Sequence, residues 1–186
     1  MIRAAIVGLG RWGRSLVASV QGKSAELSFV GGHTRTRASA EDFCRAHGVP
    51  LVDSYEELLA DPDVDALVLA TPHSQHEAQI IAAAAAGKHI HVEKPITLDR
   101  AGADRAVDAA RKAGVVLAVG YCRRFHPSVV ELRRRLAQGR LGAVISMVAQ
   151  HTTSTAQFIA PDNWRAAPAE APGGALTASA CTRSTI

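Results

Sequence analysis

The chain has 186 residues, of which 47% are hydrophobic and 20% charged, the balance of a folded globular protein, which excludes a disordered one. The formal net charge is +4, but the positive residues are dispersed and the Arg133–Arg135 cluster has no stacking aromatics beside it, so nucleic acid is not an expected partner. Cys44, Cys122 and Cys181 stand far apart with no C-x-x-C spacing, which argues against a disulfide framework and a zinc site. No charged-then-apolar leader precedes the first apolar run, and no run has the length of a membrane span; the expectation is a cytoplasmic protein with no membrane attachment.

In chain order, the first predicted element is a strand over residues 2–8. It runs directly into Gly8-Leu9-Gly10-Arg11-Trp12-Gly13, and a helix is predicted over 12–21. Strand, G-x-G-x-x-G loop and helix in that order form the phosphate-binding turn of a dinucleotide fold. Gly8 allows the tight turn, Gly10 lets a pyrophosphate approach the backbone, and Gly13 lets helix and strand pack closely. The unpaired N–H groups of the helix start, around Arg11 and Trp12, then face the phosphates. Further strands are predicted over 27–32, 65–70, 88–92 and 115–120, with a short one near 49–52. Helices are predicted over 36–47, 54–60, 74–86 and 99–113. This alternation points to βαβ units and a Rossmann-type, doubly wound parallel sheet of the α/β class. Only 4% of the residues are aromatic, and the abundant Ala and Val suit helices packed on such a sheet. Asp53 or Ser54 caps the helix that carries Glu56 and Glu57. Gly48, Gly87 and Gly114 each follow a helix, where a left-handed residue is wanted.

After Gly120 the texture changes. Residues 121–127 are basic and aromatic, a helix is predicted over 127–138 and a strand over 143–151. Residues 152–175, rich in Thr, Ala, Pro and Gly, read as a long loop.

Three groups of residues carry candidate chemistry. The acidic residue expected after the second strand is replaced by His33-Thr34-Arg35-Thr36-Arg37. A carboxylate there binds the ribose hydroxyls of NAD, whereas a hydroxyl followed by arginines suits a 2′-phosphate. Thr34 and Arg35 therefore make NADP the preferred cofactor and NAD the alternative; read alone, Arg35 and Arg37 are equally a solvated helix start. Thr71-Pro72 with His76 follows the 65–70 strand, where loops border the ligand crevice; on its own the segment is a helix entry with a surface histidine. Glu93-Lys94-Pro95 ends the 88–92 strand. A lysine at the nicotinamide rim can hydrogen-bond a substrate hydroxyl or carbonyl and act as acid or base.

Together these pieces resemble the glucose-fructose oxidoreductase/inositol dehydrogenase/rhizopine-catabolism (Gfo/Idh/MocA) family of NAD(P)-dependent oxidoreductases. The matching motifs come in family order: Gly8–Gly13, Thr71-Pro72 with His76, Glu93-Lys94-Pro95, Arg124-Phe125 with Pro127, Asn163-Trp164-Arg165 and Gly173-Gly174-Ala175-Leu176. The resemblance implies hydride transfer between the cofactor and a sugar, polyol or derivative, with Lys94 as the catalytic lysine. It places Glu93 and Thr71 near the nicotinamide ribose and ring, and Trp164 and Arg165 in a segment that reaches back to the cofactor. It also implies a division into a cofactor domain, residues 1–121, and an incomplete start of an α+β substrate and oligomerisation domain, residues 122–186. Full-length members form homo-oligomers. Family chains continue after Gly-Gly-Ala-Leu with Asp and then Gly-x-His-x-x-Asp; this chain has Ala178 and then Ala180-Cys181-Thr182-Arg183-Ser184-Thr185-Ile186. The expectation is a truncated or frameshifted member with impaired turnover and doubtful self-association; the alternative is a non-catalytic dinucleotide-binding module.

Overall fold

A computed structural model describes residues 1–148, 150, 159–160, 163–174 and 177. Its first element explains its core. β1 (Ile2–Val7) alternates between two buried faces: Ala4 and Ile6 pack with Leu9, Val17, Phe29, Ala40 and Cys44, while Ala5 and Val7 pack with Leu58, Ile80, Ala83 and Ala106. A strand segment covered on both sides needs apolar residues at every position, which is why Ala4–Val7 reads as an unbroken apolar run. α1 (Arg11–Val20) and α2 (Arg37–His47) supply Val17, Ala40 and Cys44 to one layer. α3 (Tyr55–Ala60), α4 (His76–Ala85) and α5 (Arg100–Ala113) supply Leu58, Ile80, Ala83 and Ala106 to the other. Truncating a fully buried side chain such as Ile80 to Ala costs about 2–5 kcal/mol.

The remaining strands are β2 (Leu27–His33), β3 (Ala66–Leu69), β4 (His89–Val92) and β5 (Leu117–Val119). They pair in the order β2-β1-β3-β4-β5, every pair parallel. The short strand expected near 49–52 contracts to one parallel bridge, Leu51 beside Gly32. It is held by Gly32 N–H to Pro50 O at 2.8 Å and Val52 N–H to Gly32 O at 2.9 Å. With that edge counted, the order is that of a dinucleotide-binding sheet, 3-2-1-4-5-6, and the winding reverses between β1 and β3. A ligand crevice therefore opens at the carboxyl ends of those two strands.

Local chemistry sets the boundaries. Ser54, rather than Asp53, caps α3: its hydroxyl accepts the Glu57 N–H at 3.2 Å and donates to the Glu57 carboxylate at 2.9 Å. Asp99 caps α5 through the Gly102 N–H at 2.7 Å. α2 and α5 end in left-handed Gly48 and Gly114, as their positions predict. The helix expected from residue 74 begins two residues later, because Pro72 leads into a 3-10 turn, His73–Gln75.

By compactness the chain divides into Met1–Val119 and Gly120–Ile186. The second unit contains a 3-10 turn at Cys122–Phe125 and α6 (Pro127–Ala137). In α6, Arg134 and Arg135 are ion-paired with Glu131 at 2.7 and 2.8 Å. The strand expected over 143–151 is not formed: residues 143–148 and 150 are outside any strand, and Ile145 is 97% exposed. An extended segment becomes a strand only when a neighbour takes its N–H and C=O groups, and among the described residues none does so. Residues 152–158, 161–162 and 175 of the expected 152–175 loop, and the Ala178–Ile186 tail, lie outside the described residues. No helix among the described residues is long and apolar enough to cross a membrane.

Candidate functional site

The glycine loop sits where β1 ends, and its three glycines are required for three different reasons. Gly8 has φ +94°, and a Cβ there would lie 2.7 Å from the carbonyl carbon and oxygen of Ala70. Gly13, buried in the first turn of α1, would place a Cβ 1.9 Å from the Gly8 carbonyl oxygen. Gly10 has open space where its Cβ would be. Two glycines thus let loop, helix and β3 close up, and the third leaves a bare backbone facing outward. Gly10 is also the N-cap of α1 and makes no side-chain cap, so the first-turn N–H groups stay available to an anion. Arg11 and Trp12 are exposed at that turn. Arg14 is committed to the protein: its Nε donates to Leu9 O at 3.0 Å and its guanidinium stands over the Phe43 ring.

Beside this loop lies the end of β2. Gly8 N–H donates to His33 O at 2.8 Å, which brings the residues after His33 to the edge of the loop. Thr34 is half-buried and Arg35 exposed. Arg37 is engaged by Asp53 and by Glu41 at 3.5 Å, so of the two arginines Arg35 is the one without an ion pair among the described residues.

The other wall is built from the ends of β3 and β4. Thr71 and Pro72 are half-buried, and the Thr71 hydroxyl donates to Gln79 Oε1 on α4 at 2.6 Å. Glu93 is buried, its N–H donating to Leu69 O at 2.9 Å. Lys94 follows, half-buried, and precedes a cis peptide bond to Pro95. Lys94 and the glycine loop thus share the carboxyl edge of the sheet, on strands separated by β3 alone. Burial holds the His91 imidazole, on β4, below its ordinary value.

His76 departs from expectation. It is not a surface residue: it is 0% exposed, with Nδ1 2.8 Å from Pro95 O and Nε2 3.1 Å from Thr71 O. Burial pushes its pKa below the ordinary value, against the opposing pull of the two carbonyls. The reading of His76 as a surface residue is therefore corrected. Buried among backbone carbonyls, it touches the loops that line the crevice. Trp164 and Arg165 belong to the second unit, in a 3-10 turn capped by Asn163 Oδ1, with the Arg165 guanidinium 4.1 Å from the Trp164 ring centroid. Two shallow surface depressions, one on α4 around Glu77 and Ile81 and one around Ile2, Asp65 and Val116, include no residue of the glycine loop or the Lys94 turn.

A glycine loop at the switch point of a doubly wound parallel sheet, faced by a lysine-bearing turn, defines a dinucleotide-binding protein of the α/β class. The chain belongs to the Gfo/Idh/MocA oxidoreductase family with an NAD-binding Rossmann fold, which it matches over residues 2–121. It is 40% identical over 150 residues to the scyllo-inositol 2-dehydrogenase (NAD(+)) of Bacillus subtilis, covering 77% of this chain and 42% of that protein. The crystal structure of an oxidoreductase of proposed NADPH dependence from Desulfitobacterium hafniense superposes with a TM-score of 0.88 at 30% identity, covering 98% of this chain and 52% of that one. Scyllo-inositol dehydrogenase from Lactobacillus casei, solved with NAD(H) and scyllo-inositol, gives 0.72 at 27% identity over 76% of this chain and 42% of its own. The chain thus spans about half the length of these relatives or less.

Proposed function

We propose that this chain forms the cofactor-binding half of an NADP-preferring oxidoreductase acting on a sugar, a polyol or a derivative. The observation that carries the reading is the shared carboxyl edge: Gly10 bare at one strand end and Lys94 two strands away. The residues fit the group. The α1 N-terminus and Gly10 would hold the pyrophosphate, and Thr34 and Arg35 the adenosine ribose and its 2′-phosphate. Thr71, Pro72 and Glu93 would border the nicotinamide. The bound nicotinamide supplies hydride exchange with the substrate carbon, while Lys94 holds the substrate hydroxyl and moves its proton. Names of relatives support the substrate class: one is an inositol dehydrogenase and another a 1,5-anhydro-D-fructose reductase.

Fluorescence titration of the chain with NADPH and NADH tests the cofactor assignment. Charge-assisted contacts to a 2′-phosphate are worth about 1.5–3 kcal/mol, so NADPH should bind roughly 10- to 100-fold more tightly. Arg35→Ala should remove most of that preference and leave NADH binding intact; an unchanged ratio refutes the role. In a chain that turns over a polyol, Lys94→Ala should abolish turnover and spare NADPH binding. A second reading, dinucleotide binding without turnover, is favoured by Ala178 standing where the family pattern has an Asp; binding with no turnover across a panel of sugars and polyols distinguishes it.

A further inference from the structure

We infer that His76 is a positioning residue that ties the Glu93–Pro95 turn to the start of α4, the helix whose Gln79 holds Thr71, and so sets where Lys94 stands along the crevice. The inference rests on the dinucleotide reading above and goes beyond it, because His76 touches neither cofactor nor substrate in that reading.

The argument is geometric. Lys94 lies between two backbone pins. On its amino side, Glu93 N–H is held by Leu69 O at 2.9 Å. On its carboxyl side, Pro95 O lies 2.8 Å from His76 Nδ1. The first pin is ordinary sheet pairing, which any residue at 93 except proline provides. The second depends on one side chain. A neutral imidazole carries one N–H and donates to one carbonyl at a time; the nearer acceptor is Pro95 O, which selects the Nδ1–H tautomer. Nε2, without a proton in that tautomer, makes no hydrogen bond to Thr71 O, 3.1 Å away, and Thr71 is held by Gln79 instead.

His76 is well placed for this task. It is the first residue of α4, a helix anchored in the core by Ile80, Ala83 and Ala84. One turn later, Gln79 of the same helix receives the Thr71 hydroxyl at 2.6 Å. The start of α4 therefore grips both walls, Thr71 through Gln79 and Pro95 through His76. The His73 ring packs edge-on against His76, with centroids 5.9 Å apart, and limits its rotation. Removing the donor leaves a buried carbonyl unpaired and the carboxyl side of Lys94 unpinned.

The test compares two probes that divide the site. Adenosine 2′,5′-bisphosphate reports the glycine-loop end, and NADPH reports both ends. His76→Phe keeps ring volume without a donor. His76→Asn keeps a donor near the Nδ1 position, and His76→Gln one near the Nε2 position. His76→Phe should weaken NADPH about tenfold, the worth of a buried hydrogen bond, and change adenosine bisphosphate binding by less than about twofold. His76→Asn should recover most of the NADPH affinity, and His76→Gln should recover less. An equal loss for both probes, which a general structural defect produces, overturns the inference. So does NADPH affinity unchanged in His76→Phe, or no rescue by Asn. Long-range ¹H–¹⁵N spectra of the wild-type ring, which need no variant to fold, should show Nδ1 protonated; a ring protonated only at Nε2 overturns the Pro95 pin. Wild-type protein that binds neither probe refutes the dinucleotide reading itself, a result distinct from any of these.

Discussion

Alanine placed at Gly8, Gly10 and Gly13 in turn should give three different outcomes, and the contrast tests the site more sharply than any one variant. At Gly13 the new Cβ would stand 1.9 Å from the Gly8 carbonyl oxygen. That atom is backbone and cannot swing aside, so α1 must lift from the loop. Overpacking of this kind costs about 1–3 kcal/mol, occasionally more. At Gly8 a similar clash with Ala70, 2.7 Å away, adds to a φ of +94°, and the left-handed backbone costs a further 1–2 kcal/mol or so. At about 2–4 °C per kcal/mol for chains of this size, both variants should melt several degrees below wild type, Gly8→Ala lowest. Gly10→Ala is the informative member. Its φ is −69° and nothing lies within 4 Å of the added carbon, so its stability should stay within about 1 kcal/mol of wild type. The same methyl stands where a pyrophosphate would meet the bare backbone, and NADPH affinity should fall at least about tenfold, the scale of one lost charge-assisted contact. Thermal melts followed by circular dichroism, with NADPH titration of each folded variant, read both quantities. Gly10→Ala binding NADPH like wild type would remove the pyrophosphate from this loop. Gly13→Ala melting like wild type would show that α1 does not close on Gly8 as described.

The remaining tests concern what holds the cofactor half together. Asp65 accepts the Arg3 N–H and faces its guanidinium at 2.8 Å, which holds its pKa at about 2. A depressed carboxylate stabilises the fold above its unfolded value and loses that contribution as pH falls through its folded value. Asp65→Asn should therefore lower the melting temperature at pH 7 and flatten its decline between about pH 4 and 2, where the wild-type carboxylate takes up its proton; parallel pH profiles would sink the assignment. Ser54→Ala removes both hydrogen bonds of the hydroxyl that caps α3 and should cost about 1 kcal/mol by urea denaturation, whereas Asp53→Ala, off the cap, should not reproduce that loss.

Much of this architecture is local, and local features are what a sequence displays. β1 is legible because both of its faces are buried, and the glycine loop because its spacing answers to backbone geometry within six residues. Ser54 and the glycines after α2 and α5 act on groups no more than four positions away. The corrected features share the opposite property. His76 reads as a polar residue at a helix start; its burial comes from Pro95, 19 positions on. Arg37 reads as a second arginine beside Arg35, and Asp53, 16 positions on, engages it together with Glu41. Residues 143–148 carry apolar residues suited to a strand, but propensity cannot supply a neighbour. The edge at Leu51 lies between these cases: one bridge forms, and it suffices to extend the sheet order beyond β2. For the candidate site, then, residue types and spacing nominate the groups proposed to meet a ligand. The contacts that aim those groups are disclosed by packing, which is why Lys94 and His76 are both named from the sequence and the approach of His76 Nδ1 to Pro95 O is not.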